Sequence, residues 1–307
     1  MTTRQMLSGV LLVDKPSGPT SHDVVAAVRR AAGQRRVGHS GTLDPPASGL
    51  LILLLGSATR LQSYVMGGDK VYSFDLVLGS ATDTLDLSGT VVATGALPRP
   101  GRSQMEDVAR TLVGEVALRP PMVSAIHYKG ERMYRLARRG EEVERPARPS
   151  RIGRLSVLGD ALPGPHEGAW SIPLEVCCSG GTYVRSLGEE LARRLGVPGC
   201  IGRLRRLSSG AFSVTEATTL EEVVTGGRDA VVERLLSAEA AVSGLPAVDV
   251  GRLQARAFCH GNSVTGTGAA DGEVRALCGT VFLGVGVLQA GRLAPRIVLA
   301  EDPTRDD

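Results

Sequence analysis

The feature that most constrains this chain is one short apolar run and what precedes it. Leu50 to Leu55 reads LLILLL, six apolar residues with no polar interruption. A bilayer span needs roughly 20 such residues, so a transmembrane reading is excluded for this run. Its length and continuity instead fit a strand buried on both faces. The twelve residues before it, Gly38 to Gly49, are dense in Gly, Ser, Thr and Pro and read as a loop. A rigid buried strand preceded by a stiffened loop is a setting in which functional side chains concentrate.

A second apolar strand, Gly9 to Asp14, leads into the turn Lys15-Pro16-Ser17-Gly18-Pro19-Thr20. Ser21 then reads as the cap of a helix running to about Ala32. A helix is expected around 58–65, and a strand over 71–78 ending at Gly79. Ser103-x-x-Glu106 reads as a capping box opening a helix to about Val113. The stretch 119–152 is polar, basic and poorly periodic, with one helical piece near 133–139, and reads as an exposed insertion. Strands are expected near 154–158 and 171–178. Gly180-Gly181-Thr182 then turns into a helix over 183–195, and 219–239 reads as an acidic helical stretch.

From Leu245 on, the texture changes to short Gly-rich strands such as RALCGTVFLGVGVL. The chain has 307 residues, which suggests about two domains. We divide it into 1–245 and a small C-terminal domain, 246–307. Strands and helices mix without strict βαβ alternation, so the expected class is α+β. Hydrophobic residues make up 42% and charged residues 22%, which excludes a disordered chain. Five Cys with no CxxC pair argue against a disulfide framework and a Cys-rich zinc site, and fit a reducing compartment. No signal peptide is apparent at the start, so a soluble cytoplasmic protein is expected.

The formal net charge is only +3, but it is unevenly spread. Segments 29–36, 129–154 and 193–206 together carry +14, leaving −11 for the rest. If they meet on one face, that is the footprint of a nucleic-acid binder; otherwise they are three solvated surfaces.

Within Gly38–Gly49, His39 and Asp44 stand among residues that shape a loop rather than pack a core. Pro45 restricts the backbone of Asp44 and so fixes the direction of its carboxylate. With no second acid in the loop this is not a glycosidase pair. Asp44 alone fits a nucleophile, a base, or simply a turn or cap aspartate. Gly33 to Ser40 approaches a phosphate-binding GxxxxGK[ST] loop but has His39 for the Lys and lacks the strand-then-helix setting, so nucleotide binding is not expected. The five His are too scattered for a zinc motif.

Five stretches taken together resemble bacterial TruB-family tRNA pseudouridine-55 synthases. They are Lys15-Pro16-x-Gly18-x-Thr20-Ser21; Gly38-His39-x-Gly41-x-Leu43-Asp44-Pro45-x-Ala47-x-Gly49-Leu50; Lys70-x-Tyr72 running to Leu78-Gly79-x-x-Thr82-Asp83-Thr84; Arg119-Pro120-Pro121 with Ser124-Ala125; and Gly181-Thr182-Tyr183-Val184-Arg185-Ser186-Leu187 followed by Leu204-Arg205-Arg206-Leu207. They span about residues 9–210. The C-terminal piece resembles an accessory domain of some members.

The resemblance implies a pseudouridine synthase fold, with a mixed, largely antiparallel central sheet flanked by helices and a small β-rich C-terminal domain. It implies conversion of a uridine in the T loop of tRNA to pseudouridine, without cofactor or metal. Asp44 becomes the catalytic aspartate, Arg185 its partner, and Tyr72 the residue stacking on the base. Leu204 lines the base pocket, Tyr183 supports either Arg185 or the base, His39 fills the space left by a flipped base, and Lys15 orients the adjoining turn. The partner implied is the tRNA T arm, gripped through the 129–154 insertion and the arginines of 203–206 by a monomer. Many members carry an aromatic before Ser124-Ala125 and a Lys soon after, whereas here Val123 and His127 stand in that region, which bears on RNA affinity. Two other readings use the same residues: a tRNA-folding helper in which catalysis is incidental, and a subunit of a guide-RNA complex.

Overall fold

The structure, a computed structural model, describes residues 6–122, 145–265 and 268–300, with 127–128, 131–132, 139 and 143. The helical piece expected near 133–139, apart from Arg139, and the residues 123–126 lie outside the described set. In chain order the main elements are β1 (Gly9–Lys15), α1 (Ser21–Ala32), β2 (Val37–Ser40), β3 (Ser48–Leu55), α2 (Gln62–Met66), β4 (Lys70–Leu78), α3 (Arg102–Arg110) and β5 (Gly114–Leu118). Then come β6 (Arg148–Val157), β7 (Trp170–Cys178), α4 (Val184–Arg194), β8 (Gly199–Ser209), β9 (Thr218–Thr219) and α5 (Leu220–Arg234). The C-terminal part holds β10 (Ala247–Asp249), α6 (Arg252–Cys259), β11 (Val264–Thr265), β12 (Gly272–Cys278), β13 (Val281–Gln289) and β14 (Arg292–Val298).

The chain divides into two compact units. The first holds the described residues up to Asp44, then Leu50–Gly67, then those from Gly210 on; the second holds Pro45–Gly49 and those of 68–209. In the first, β1 lies between β9 and β3, and β2 pairs antiparallel with β3. The LLILLL run is apolar throughout because this sheet is covered on both faces. Leu11, Val13, Leu51, Leu53 and Leu55 pack with Val24, Val25 and Val28 of α1 and with Val223 and Val231 of α5. Val10, Leu12, Leu50, Ile52 and Leu54 face the other way, onto Ala58, Leu61, Val65 and Phe212.

The C-terminal strands form a separate sheet in the order β10-β12-β13-β14-β11. It carries its own apolar cluster, including Val248, Val274, Leu283 and Leu293 with Phe258 of α6. It is tied into the first unit by Val285, which joins the core beneath Leu50 and Ile52, and by the 2.6 Å ion pair between Arg275 and Glu239.

In the second unit the strands run β8-β4-β7-β6-β5, every pair antiparallel. β8 also takes a short parallel pairing with the start of β3, Arg205 opposite Ser48 and Arg206 opposite Gly49. The sheet is therefore mixed and largely antiparallel, as expected for the class.

Several local expectations are corrected. Thr20, not Ser21, caps α1: its hydroxyl accepts from Asp23 N, and Asp23 reaches back to Thr20 N. The segment 38–49 is not one loop. Its ends belong to β2 and β3, which places His39 on a strand opposite Leu53. No side chain caps α3; Gly101 holds that position and Arg102 pairs with Glu106 instead. The insertion is shorter than 119–152, because β6 starts at Arg148 and buries Ser150 and Ile152 in pairing with β5. The arginine-rich segment 199–209, to which the sequence assigns no element, is a strand.

Candidate active site

Asp44 is the last residue of its stretch in the first unit and is half-buried. Its predecessor Leu43 is buried, and both backbone polar groups of Leu43 bond to one hydroxyl. Ser21 Oγ donates to Leu43 O at 3.0 Å, and Leu43 N donates to Ser21 Oγ at 2.9 Å. Lys15, at the end of β1, is fully buried and donates from Nζ to Pro16 O at 2.9 Å. His39 stacks edge-on against His22, with ring centres 5.4 Å apart, and its carbonyl accepts from Gln62 Nε2 at 2.9 Å. Lys15, Ser21, His39 and Asp44 thus belong to the same unit.

The other residues implicated belong to the second unit. Tyr72 is buried on β4, in register with Arg206 of β8 on one side and Val176 of β7 on the other. Leu204 lies on β8 opposite Phe74, next to a register shift, and is half-buried. Tyr183 occupies the N-cap position of α4 without capping it through its side chain.

Arg185, in the first turn of α4, is buried with a side chain 5% exposed. Its Nη1 donates to Thr84 O at 2.9 Å and lies 3.8 Å from Asp86 Oδ2. Asp86 is itself buried and accepts from Thr84 Oγ1 at 2.8 Å, from Ser88 N at 3.0 Å and from Ser88 Oγ. The loop holding it is tight enough to put Leu85 at φ 63°, a conformation that costs a non-glycine residue about 1–3 kcal/mol. A buried guanidinium of this kind needs a counter-charge, and Asp86 supplies one.

Neighbouring motifs interlock with α4. Ser186 Oγ donates to Arg119 O at 2.5 Å, which anchors the Arg119-Pro120-Pro121 stretch beside the helix. Arg145 Nη1 donates to Pro120 O at 3.1 Å. Arg206 is 1% exposed, so it is not placed to grip a phosphate on the surface. Burial holds the Lys70 ammonium below the usual lysine range, and the charge of Arg206 lowers it further. Burial also pushes the thiols of Cys178 and Cys200 up to about 11, so neither is a ready nucleophile at neutral pH.

The basic segments are less free than their count suggests. Arg203 pairs with Asp75 at 2.7 Å, Arg154 with Glu175 at 2.6 Å and Arg151 with Asp69 at 2.8 Å. Arg193 and Arg194 share Glu190, whose carboxyl is held below its usual range chiefly by the Arg193 hydrogen bond. Sequence reasoning counts these arginines but not the acids folded against them. It also misses Asp86, although the turn signature Asp86-x-x-Gly89 closely follows the Thr82-Asp83-Thr84 motif. Among the described residues, no group of three or more His, Cys, Asp or Glu is arranged to hold a metal ion. No helix among them is long and apolar enough to cross a membrane.

Comparison with known proteins identifies the family. Residues 29–184 match the family model for the TruB family pseudouridylate synthase N-terminal domain, and residues 246–299 match that for the TruB C-terminal domain. The tRNA pseudouridine synthase B of Heliobacterium modesticaldum is 41% identical over 269 residues, 87% of this chain and 86% of that protein. That of Thermobifida fusca is 40% identical over 281 residues, 89% of this chain and 94% of that protein. Among solved structures, an H/ACA RNP bound to a substrate RNA containing 2'-deoxyuridine superposes with a TM-score of 0.71 at 22% identity, covering 96% of this chain and 86% of that one. A Cbf5-Nop10-Gar1 complex gives 0.68 at 26% identity, covering 91% and 78%. With half of its length matched by the N-terminal family model and relatives of this similarity along most of it, the chain belongs to the TruB family of pseudouridine synthases.

Proposed function

We propose that this chain isomerises uridine 55 in the T loop of tRNA to pseudouridine. The observation that carries the reading is its TruB membership together with Asp44, Tyr72 and Arg185 standing at the positions of the family motifs. The N1–C1′ bond breaks, the uracil turns, and C5 bonds to C1′. C5 gives up its proton and N1 takes one, so the product is an isomer and the reaction needs no oxidant or reductant.

Asp44 enters the reaction as the ionised carboxylate. Arg185, pre-set by Asp86 and Thr84, steadies that charge. Tyr72 stacks on the base, and its phenol assists removal of the C5 proton. Extruding the base from a folded loop costs a few kcal/mol, offset by pocket contacts from Tyr72 and Leu204. His39 fills the vacated space, Tyr183 supports the pocket and Lys15 holds the adjoining turn. Catalysis is assigned to 1–245. The C-terminal part, 246–307, is assigned to RNA binding. The protein works as a cytoplasmic monomer that grips the tRNA T arm directly.

The test is pseudouridine mapping on an unmodified tRNA transcript, read by carbodiimide labelling and primer extension. The expected result is one new pseudouridine, at position 55, with the unaltered protein and none with Asp44→Ala. An unaltered protein that binds the transcript but leaves every uridine unchanged overturns the reading in favour of an RNA-folding helper.

A further inference from the structure

Thr20 takes the capping role, so the adjacent hydroxyl has other work. Ser21 is 1% exposed, and its Oγ makes two reciprocal bonds to the backbone of a residue 22 positions away. That residue, Leu43, is 3% exposed. One buried hydroxyl therefore satisfies both the N–H and the C=O of the peptide units flanking the Leu43 Cα. Hydrogen bonds of this kind matter most when their loss would strand buried polar groups.

The fixed residue directly precedes Asp44. The C=O held by Ser21 belongs to the same peptide as the Asp44 N–H, so its plane sets where the Asp44 Cα begins. Pro45 then restricts the backbone on the other side. Between these constraints the Asp44 backbone is pinned, which fixes where its side chain starts. The base of this post is the first residue of α1, whose cap is independently secured by the Thr20–Asp23 box. The N-terminus of a helix packed in the core is a rigid reference point.

We propose that Ser21 is a positioning residue for Asp44, holding the Leu43–Asp44 peptide so that the carboxylate meets the uridine in a reactive orientation. This rests on the reading of Asp44 as the catalytic aspartate. Removing the hydroxyl slows the chemical step and leaves tRNA affinity alone, because Ser21 is buried and has no route to RNA.

The experiment compares unaltered protein, Ser21→Ala, Ser21→Thr and Asp44→Asn on unmodified tRNA, by single-turnover conversion at saturating enzyme and by a separate binding titration. Ser21→Ala is expected to lose about 100-fold in single-turnover rate, the scale of a roughly 1 Å misplacement, with the dissociation constant within about twofold. Hydrogen exchange should accelerate in the peptide covering 41–47 and stay unchanged in the body of α1. Ser21→Thr keeps the hydroxyl and should recover most of the rate. Conversion by Ser21→Ala at the unaltered rate overturns the proposal, as does an equal rate loss in a folded Ser21→Thr. If Ser21→Ala melts below the assay temperature, Ser21→Thr decides alone: a folded Ser21→Thr that itself loses about 100-fold in rate overturns the proposal. Asp44→Asn separates the two ideas. An active Asp44→Asn sinks the catalytic reading itself, whereas an inactive Asp44→Asn beside a fully active Ser21→Ala sinks only the role of Ser21.

Discussion

The backbone leading into Asp44 and the side chain of Arg185 are anchored by different means. Arg185 is buried, and its charge is met by a side chain, Asp86, together with a carbonyl from Thr84. Asp44 is half-buried, and its backbone is fixed from one residue upstream, through the clamp on Leu43. The difference follows from what each group must do. A guanidinium buried in the folded chain must be neutralised there or it destabilises the fold. On the proposed role of Asp44, a carboxylate that must meet a substrate gains from a backbone fixed at the preceding residue, because that constraint sets its starting point without using the carboxyl itself. The first arrangement links function to stability, and the second separates them.

The largest expected effect tests that separation. Asp44→Asn should lower the single-turnover rate by about 10⁴-fold or more, as loss of a catalytic aspartate does elsewhere. Its melting temperature should stay within a few degrees of the unaltered protein. A large drop in melting temperature would show that the Asp44 carboxylate is structural in the way Asp86 is, and the contrast would collapse.

Asp86→Ala is the converse case. It removes the carboxylate beside the buried Arg185 cation, and stability should fall by about 3 kcal/mol in urea denaturation. Activity should fall as well, because the guanidinium loses part of its frame. An Asp86→Ala protein as stable as the original would mean that Arg185 is held well enough by its other contacts, Thr84 O among them.

A smaller effect probes the strand leaving the Asp44 loop. Gly49 has φ +100°, and a Cβ there would lie 2.3 Å from Arg206 O and 2.7 Å from Arg206 N. Gly49→Ala should cost about 2 kcal/mol through clash and backbone strain together. Gly38 in the same motif has open space where a methyl would sit and an ordinary φ, so Gly38→Ala should cost less than about 0.5 kcal/mol. Equal costs at the two positions would show that the Arg206 backbone yields to the methyl.

What is legible in the sequence follows the same divide. GVLLVD and LLILLL read correctly as buried strands because a run apolar on both faces has few other uses. Asp44 stands out because Pro45 and the glycines around it are local signals. The errors arise where a partner far along the chain decides the outcome. Thr20 and Ser21 are adjacent hydroxyls, and only the arrival of the Leu43 backbone at Ser21 assigns one to the cap and the other to the clamp. His39 reads as loop until β3 is there to pair with it. Segment 199–209 holds three arginines and two glycines, a poor strand by composition, yet it pairs with β4 and with the start of β3. Asp86 is two residues past a motif and becomes important only because α4 delivers Arg185, 99 positions later, to its loop.

The smallest effect extends the contrast to ion pairs. Arg203 is 91% exposed and pairs with Asp75, an arginine–aspartate contact like that of Arg185 and Asp86 except that its guanidinium lies in solvent while the Asp75 side chain is 15% exposed. Pairs made by an exposed arginine contribute about 0–1 kcal/mol, because water already solvates the guanidinium and its long side chain must be ordered to meet the acid. Arg203→Ala should therefore change stability by less than about 1 kcal/mol, against about 3 for Asp86→Ala. The same pairing bears on RNA. An arginine that releases a counterion on binding phosphate adds about one to the slope of log affinity against log salt. The acid beside Arg203 cancels much of its field, so the slope for tRNA binding should be unchanged in Arg203→Ala. A slope lower by about one would show that Arg203 leaves Asp75 for a phosphate. In that case the arginines paired across this sheet are a reserve of RNA contacts rather than a neutral surface.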